Sequence, residues 1–146
     1  MSIRGHCRCR NIEVHWQLVD YSLVPRRCQC EYCLARDAAY VSKAGSRVDI
    51  TIHKPALHEI HQQGSMSASF HECGHCHDLV LVTAEIDGEL FGALNANCLH
   101  NPRGFGESVA MTLYDQSAEQ KIARWRQNWC HPVFIHLAEQ EATVQE

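Results

Sequence analysis

Apolar and polar positions alternate in short runs along most of this chain, and only one segment carries a helical period. Ile12, Val14, Trp16 and Leu18 alternate with Glu13, His15 and Gln17, a period of two that predicts a strand with one buried face. Val48, Ile50 and Ile52 repeat the pattern after a turn at 43–47, which residues 39–42 enter as a short strand. Residues 34–39 read as a helical turn or loop. Two more strands, 57–61 and 67–71, flank a turn at 62–65. The run 79–86 is almost wholly apolar and ends at Asp87-Gly88, which predicts a buried strand entering a tight hairpin with 90–96 as its partner. A loop at 101–106 and a strand over 109–114 follow.

The helical segment begins at Ser117-Ala118-Glu119-Gln120, an S-x-x-Q capping box. Ile122, Trp125 and Trp129 then recur at helical spacing, with Lys121, Arg124 and Arg126 elsewhere on the helix surface and Pro132 beyond its end. The Trp pair is predicted to pack on the sheet core. The polar stretch 139–146 is predicted to fray. The fold class is therefore mainly β with one C-terminal amphipathic helix, in a single domain spanning 1–146.

Composition adds limits. A chain of 146 residues, 45% hydrophobic and 21% charged, is long enough to build an ordinary core. Its net charge of −4 argues against a nucleic-acid surface. No run approaches the ~18 apolar residues of a membrane span, and no apolar leader precedes Gly5-His6-Cys7. These features predict a soluble, cytoplasmic protein.

Nine cysteines change the picture. An odd number cannot all form disulfides, and a reducing cytoplasm keeps thiols free for metals. Cys7-Arg8-Cys9 and Cys73-Gly74-His75-Cys76 are two close pairs that together make a closed four-sulfur zinc site, with Gly74 suited to the knuckle turn. Cys28-Gln29-Cys30-Glu31-Tyr32-Cys33 places three thiols within six residues, one ligand short of closure. Three protein ligands and an open position make a catalytic zinc; a fourth from Cys98, Cys130 or a histidine would make a structural one. Glu31 reads as an exposed acid between two ligands. Of eleven histidines, His71, His75 and His77 flank the second pair and read as solvent-facing residues or as neighbours of the metal that do not ligate it, and His53, His58 and His61 read as surface residues.

The pattern resembles the glutathione-dependent formaldehyde-activating family, which includes centromere protein V. The resemblance rests on Gly5-His6-Cys7-Arg8-Cys9, on Cys28 to Cys33, on Phe70-His71-Glu72-Cys73-Gly74-His75-Cys76 and on Asn95-Ala96-Asn97-Cys98-Leu99. It implies a complex fold of several coiled antiparallel β-sheets and two zinc ions per chain. The structural zinc would sit on Cys7, Cys9, Cys73 and Cys76, and the catalytic zinc on Cys28, Cys30 and Cys33. It further implies a carbon–sulfur lyase activity joining formaldehyde to glutathione as S-hydroxymethylglutathione. Departures occur where relatives carry a basic residue and a Gly-Ala after the third central cysteine: here stand Leu34 and Ala38-Ala39, with Arg36 in a shifted register.

Three functions follow for comparison. One is a zinc-dependent enzyme acting on a small thiol adduct. The second is a non-catalytic zinc module for a protein partner, and the third a metal-free C-x-x-C redox protein.

Overall fold

The computed structural model describes residues 2–17, 23–62, 68–101, 104–111 and 117–138. The strands are β1 (Ser2–His6), β2 (Ile12–Gln17), β3 (Arg26–Cys28), β4 (Tyr40–Val41), β5 (Val48–Ile52) and β6 (His58–Gln62). They continue as β7 (Ser69–Cys73), β8 (Leu79–Ile86), β9 (Glu89–Asn95), β10 (Leu99–His100), β11 (Val109–Met111) and β12 (Val133–Leu137). Two α-helices, α1 (Glu31–Ala35) and α2 (Ala118–Asn128), complete the frame with 3-10 turns at Pro55–Leu57 and Ala96–Cys98. The protein is mainly β, as its alternating pattern predicts.

Two sheets form. The smaller has the order β10-β1-β2-β5-β12 and the larger β11-β3-β4-β9-β8-β7-β6. In the smaller sheet the predicted apolar faces meet in register: Ile12 opposes Ile52, Val14 opposes Ile50, and Trp16 opposes Val48. All six side chains are buried, each worth roughly 1.5–3 kcal/mol relative to exposure. The Trp16 indole N–H donates to Ser46 Oγ at 2.9 Å, so this buried ring leaves no orphaned donor. These residues pack against Val41, Val80 and Leu94 of the larger sheet as one core.

The other face of the larger sheet is covered by α2. Ser117 accepts from Gln120 N and Gln120 Oε1 accepts from Ser117 N, so both halves of the predicted capping box are present. Trp125 and Trp129 stack with ring centres 4.6 Å apart and pack on Val82, Ala84, Ile86 and Ala93. Strand β8 is thus covered on both faces, which explains its unbroken apolar run. Its hairpin with β9 turns through Asp87 and Gly88, both at positive φ.

Several elements depart from the sequence expectation. Strands β1, β3 and β12 carry too little alternation to announce themselves; β12 is held by parallel pairing to β5, and β3 by parallel pairing to β11. The remaining ladders are antiparallel. The helical turn or loop expected over 34–39 is a short helix, α1, that begins three residues earlier, and the chain leaves it through Asp37 at φ 53°. Leu18, the core of the turn at 62–65, the end of the strand predicted over 109–114 and the tail 139–146 fall outside the described residues. Among the described residues, no helix is long and apolar enough to cross a membrane.

Candidate metal centres

Chain geometry brings the cysteines into two groups. Cys7 follows β1 at the tip of the β1–β2 hairpin, where Arg10 N donates to Cys7 O and Arg10 takes φ 69°. Cys73 ends β7, and the knuckle closes as His77 N donates to Cys73 O with His77 at φ 66°. Positive φ therefore falls on His77 and not on Gly74. Gly74 is needed for space: a Cβ there would lie 2.7 Å from Glu59 Oε2 and 3.1 Å from Leu57 O. Gly5 has a similar reason, since a Cβ there would collide with Cys98 O where β1 pairs with β10.

The sulfurs of Cys7, Cys9, Cys73 and Cys76 lie within 4.8 Å of one another. Cys7 Sγ is 3.7 Å from Cys9 Sγ, and Cys9 Sγ is 3.5 Å from Cys73 Sγ. A tetrahedron with metal–sulfur bonds of 2.3 Å has sulfur–sulfur edges of about 3.8 Å, so the donor set fits a closed four-sulfur metal site. Backbone N–H groups of Ile12 and His75 approach Cys7 Sγ and Cys73 Sγ at 3.4 Å each, ready to stabilise thiolates. Burial pushes the Cys7 thiol up to about 12 in the metal-free chain. Arg8 ties the two knuckles, bonding Asp78 Oδ1 at 3.0 Å and Cys76 O at 2.6 Å.

The second group is Cys28, Cys30 and Cys33, also within 4.8 Å of one another. Cys28 ends β3. Cys30 is the N-cap of α1, its sulfur accepting from Cys33 N at 3.4 Å, so one helical turn folds the C-x-x-C onto a point. The hydrogen bond from Cys33 holds the Cys28 thiol down at about 5 against its burial, while the same pairing pushes Cys33 far up. The Tyr40 hydroxyl lies 3.3 Å from Cys33 Sγ. Burial first, then the neighbouring thiols, raise the Tyr40 pKa, so this phenol keeps its proton and can donate to a thiolate.

Neither spare cysteine, and no histidine among the described residues, joins this trio. Cys98 hydrogen-bonds to Leu79 O at 3.5 Å, and burial raises its thiol to about 12. Cys130 is fully buried in the main core, its backbone bridged to Gly92. The histidine expectations are revised in part. His71 is buried and joins His58 Nε2 at 2.8 Å through Nδ1 and Thr83 Oγ1 at 2.8 Å through Nε2. His61 is half-buried and lies among Glu59 and Glu72. Glu31 is exposed in the first turn of α1.

The trio opens on a cavity of about 420 Å³, the size range of small-molecule sites. Its wall includes Phe70, Val82, Ala93, Trp125 and Trp129, so the Trp pair serves both core and cavity. Arg26, Lys121 and Arg124 also line it. The helical pattern placed Lys121 and Arg124 on an outer surface because it marks only the apolar stripe; β3 and α1 form a wall on their side. Arg126 does face outward and pairs with Asp87 at 2.7 Å. Arg124 Nε is buried without a hydrogen-bond partner, an arrangement that costs about 1–3 kcal/mol. Arg36, the candidate replacement for the missing basic residue, turns elsewhere: it pairs with Glu72 at 2.8 Å and stacks over the Tyr32 ring at 3.7 Å.

No protein-family profile matches the chain, and no curated protein matches it. Its fold is similar to the crystal structure of a Rhodobacter sphaeroides protein, a Northeast Structural Genomics target. The TM-score is 0.58 at 23% identity, and the match covers 74% of this chain and 99% of that one. At such identity the likeness is one of fold.

Proposed function

We propose that this protein is a zinc-dependent enzyme acting on a small thiol adduct, with a structural zinc on Cys7, Cys9, Cys73 and Cys76 and a catalytic zinc on Cys28, Cys30 and Cys33. The observation that carries the reading is the unsealed trio opening on a cleft of small-molecule size. A zinc ion held there supplies Lewis acidity, ionising a substrate thiol and polarising an aldehyde oxygen. The chain's own residues do the rest. Tyr40 orients Cys33 through its hydroxyl, and Phe70, Trp125 and Trp129 keep water from that side of the cavity. Lys121 lies close enough to favour the Cys28 thiolate, a smaller influence than Cys33 or burial. The motif resemblance supports carbon–sulfur lyase chemistry, with glutathione and formaldehyde as the first pair to try.

The test is the Cys30→Ser variant. Serine is itself a good N-cap, so α1 is expected to persist. Metal content should fall from two zinc ions per chain to one, with turnover lost across a panel of thiols and aldehydes. Formaldehyde and thiols combine unaided, so the uncatalysed rate must be subtracted. A variant matching the parent over that panel would defeat the enzymatic reading.

A further inference from the structure

We infer that the cavity beside the cysteine trio binds an amphipathic organic acid, its hydrocarbon body on the Trp125/Trp129 wall and its carboxylate against Arg124. It rests on the function proposed above, which supplies the metal at the trio, and its binding test is read separately from turnover. Two features of the cavity select that chemistry.

The first is charge. Arg26, Lys121 and Arg124 all line the cavity, and none has a carboxylate partner among the described residues. Among the described residues Arg26 Nη2 donates to the neutral Ser42 Oγ, at 3.1 Å, and Arg124, whose Nε is closed off from solvent without an acceptor, can meet an anion through the rest of its guanidinium. The thiols offset only part of this charge, with Lys121 close enough to favour the Cys28 thiolate. Three thiolates around a divalent ion leave one negative charge, and Glu31 adds a second. Three cations exceed both, and the excess favours an anion from outside. A guanidinium presents a fork that matches a carboxylate.

The second is the apolar part of the lining. Ala68, Phe70, Val82 and Ala93 join the stacked Trp pair to make a surface without hydrogen-bonding groups, apart from the indole N–H positions. A polar peptide body would lose water there with little to replace it. A hydrocarbon or aromatic body gains by the same burial. The cavity is therefore matched to an apolar acid better than to a tripeptide such as glutathione.

Binding is measured with thiol-free probes on the metal-loaded protein, by calorimetry and by tryptophan fluorescence. Octanoate should bind saturably, and octanamide at least ~10-fold more weakly, the difference expected of a charge-assisted hydrogen bond. Arg124→Gln should abolish that gap, whereas Arg126→Gln, whose side chain pairs with Asp87 outside the cavity, should leave it intact. If Arg124→Gln fails to fold, Lys121→Gln should narrow the gap, and the acid–amide comparison on the parent needs no variant. In competition, 8-mercaptooctanoate should displace octanoate at lower concentration than glutathione does. Equal binding of acid and amide, no saturable octanoate binding, or glutathione competing as well as 8-mercaptooctanoate would each overturn the inference. The two readings fail separately: absent octanoate binding leaves the Cys30→Ser result untouched, and full turnover in Cys30→Ser leaves carboxylate binding untouched.

Discussion

The two sulfur clusters use the same ligand and differ in what stands around it. The quartet draws Cys7 and Cys9 from one hairpin tip and Cys73 and Cys76 from the end of β7, a span of 64 residues between Cys9 and Cys73. Two of its sulfurs are fully buried, and main-chain N–H groups address them. The trio comes from one turn of chain around α1 and faces an open-mouthed cavity. A metal in the first cross-links distant strands and is coupled to folding. In the second it would cross-link almost nothing, so removing it should leave the fold standing. On the function proposed above, the fourth coordination position, not the sulfur chemistry, would separate a strut from a reactive centre.

That contrast can be broken most forcefully at Cys73. Cys73→Ser should lower stability by several kcal/mol, read as the shift of the urea unfolding midpoint, and strong chelators should do the same to the parent. Unfolding unchanged by either treatment would mean that the quartet is no strut. Next in size is a pH effect from His71, buried on β7 between His58 and Thr83. Burial, then the neighbouring His58, holds its pKa down at about 3, against 6.5 for a free histidine. The unfolded chain therefore binds this proton first as pH falls. Stability is complete above about pH 6.5 and declines toward pH 3, by at most about 1.4 kcal/mol per pH unit. His71→Gln should flatten the stability–pH slope over that window; an unchanged slope would assign the acid sensitivity to the thiols instead.

Smaller effects sharpen the trio's side of the comparison. Tyr40→Phe removes the one hydroxyl touching Cys33 and should weaken metal retention at the trio by ~10-fold or more, with the quartet's metal unmoved. Competition with a chromophoric chelator reads both sites at once. The smallest change is the stability of Cys30→Ser, expected within about 1 kcal/mol of the parent. A loss comparable to that of Cys73→Ser would make the trio structural as well.

Much of this architecture was legible in local pattern. Strand β5 and strand β8 have the predicted ends, the Asp87-Gly88 hairpin turns where predicted, and the α2 capping box forms in full. Each is set by residues within a few positions of one another, where periodicity and turn chemistry act directly. Strand β12 was not legible because its partner, β5, lies more than eighty residues earlier and pairs in parallel. Likewise α1 starts at Glu31 because a cysteine sulfur caps it, a role that helix-start signals built on Ser, Thr, Asp and Asn do not include.

For the functional residues the division runs along the same line. Sequence by itself determined that Cys7 and Cys9, Cys28, Cys30 and Cys33, and Cys73 and Cys76 each form a local sulfur group, because C-x-C and C-x-x-C bring sulfurs together through local backbone geometry, while tertiary packing joins the first pair to the last. Only the tertiary structure decided that Cys98 and Cys130 stand apart from the trio, that Tyr40 touches Cys33, and that Lys121 and Arg124 line a cavity with Arg26. Those relations depend on how β3, β4 and α2 are laid beside one another. Helical and strand periods report which face of an element is apolar; what stands opposite the other face is settled by long-range packing.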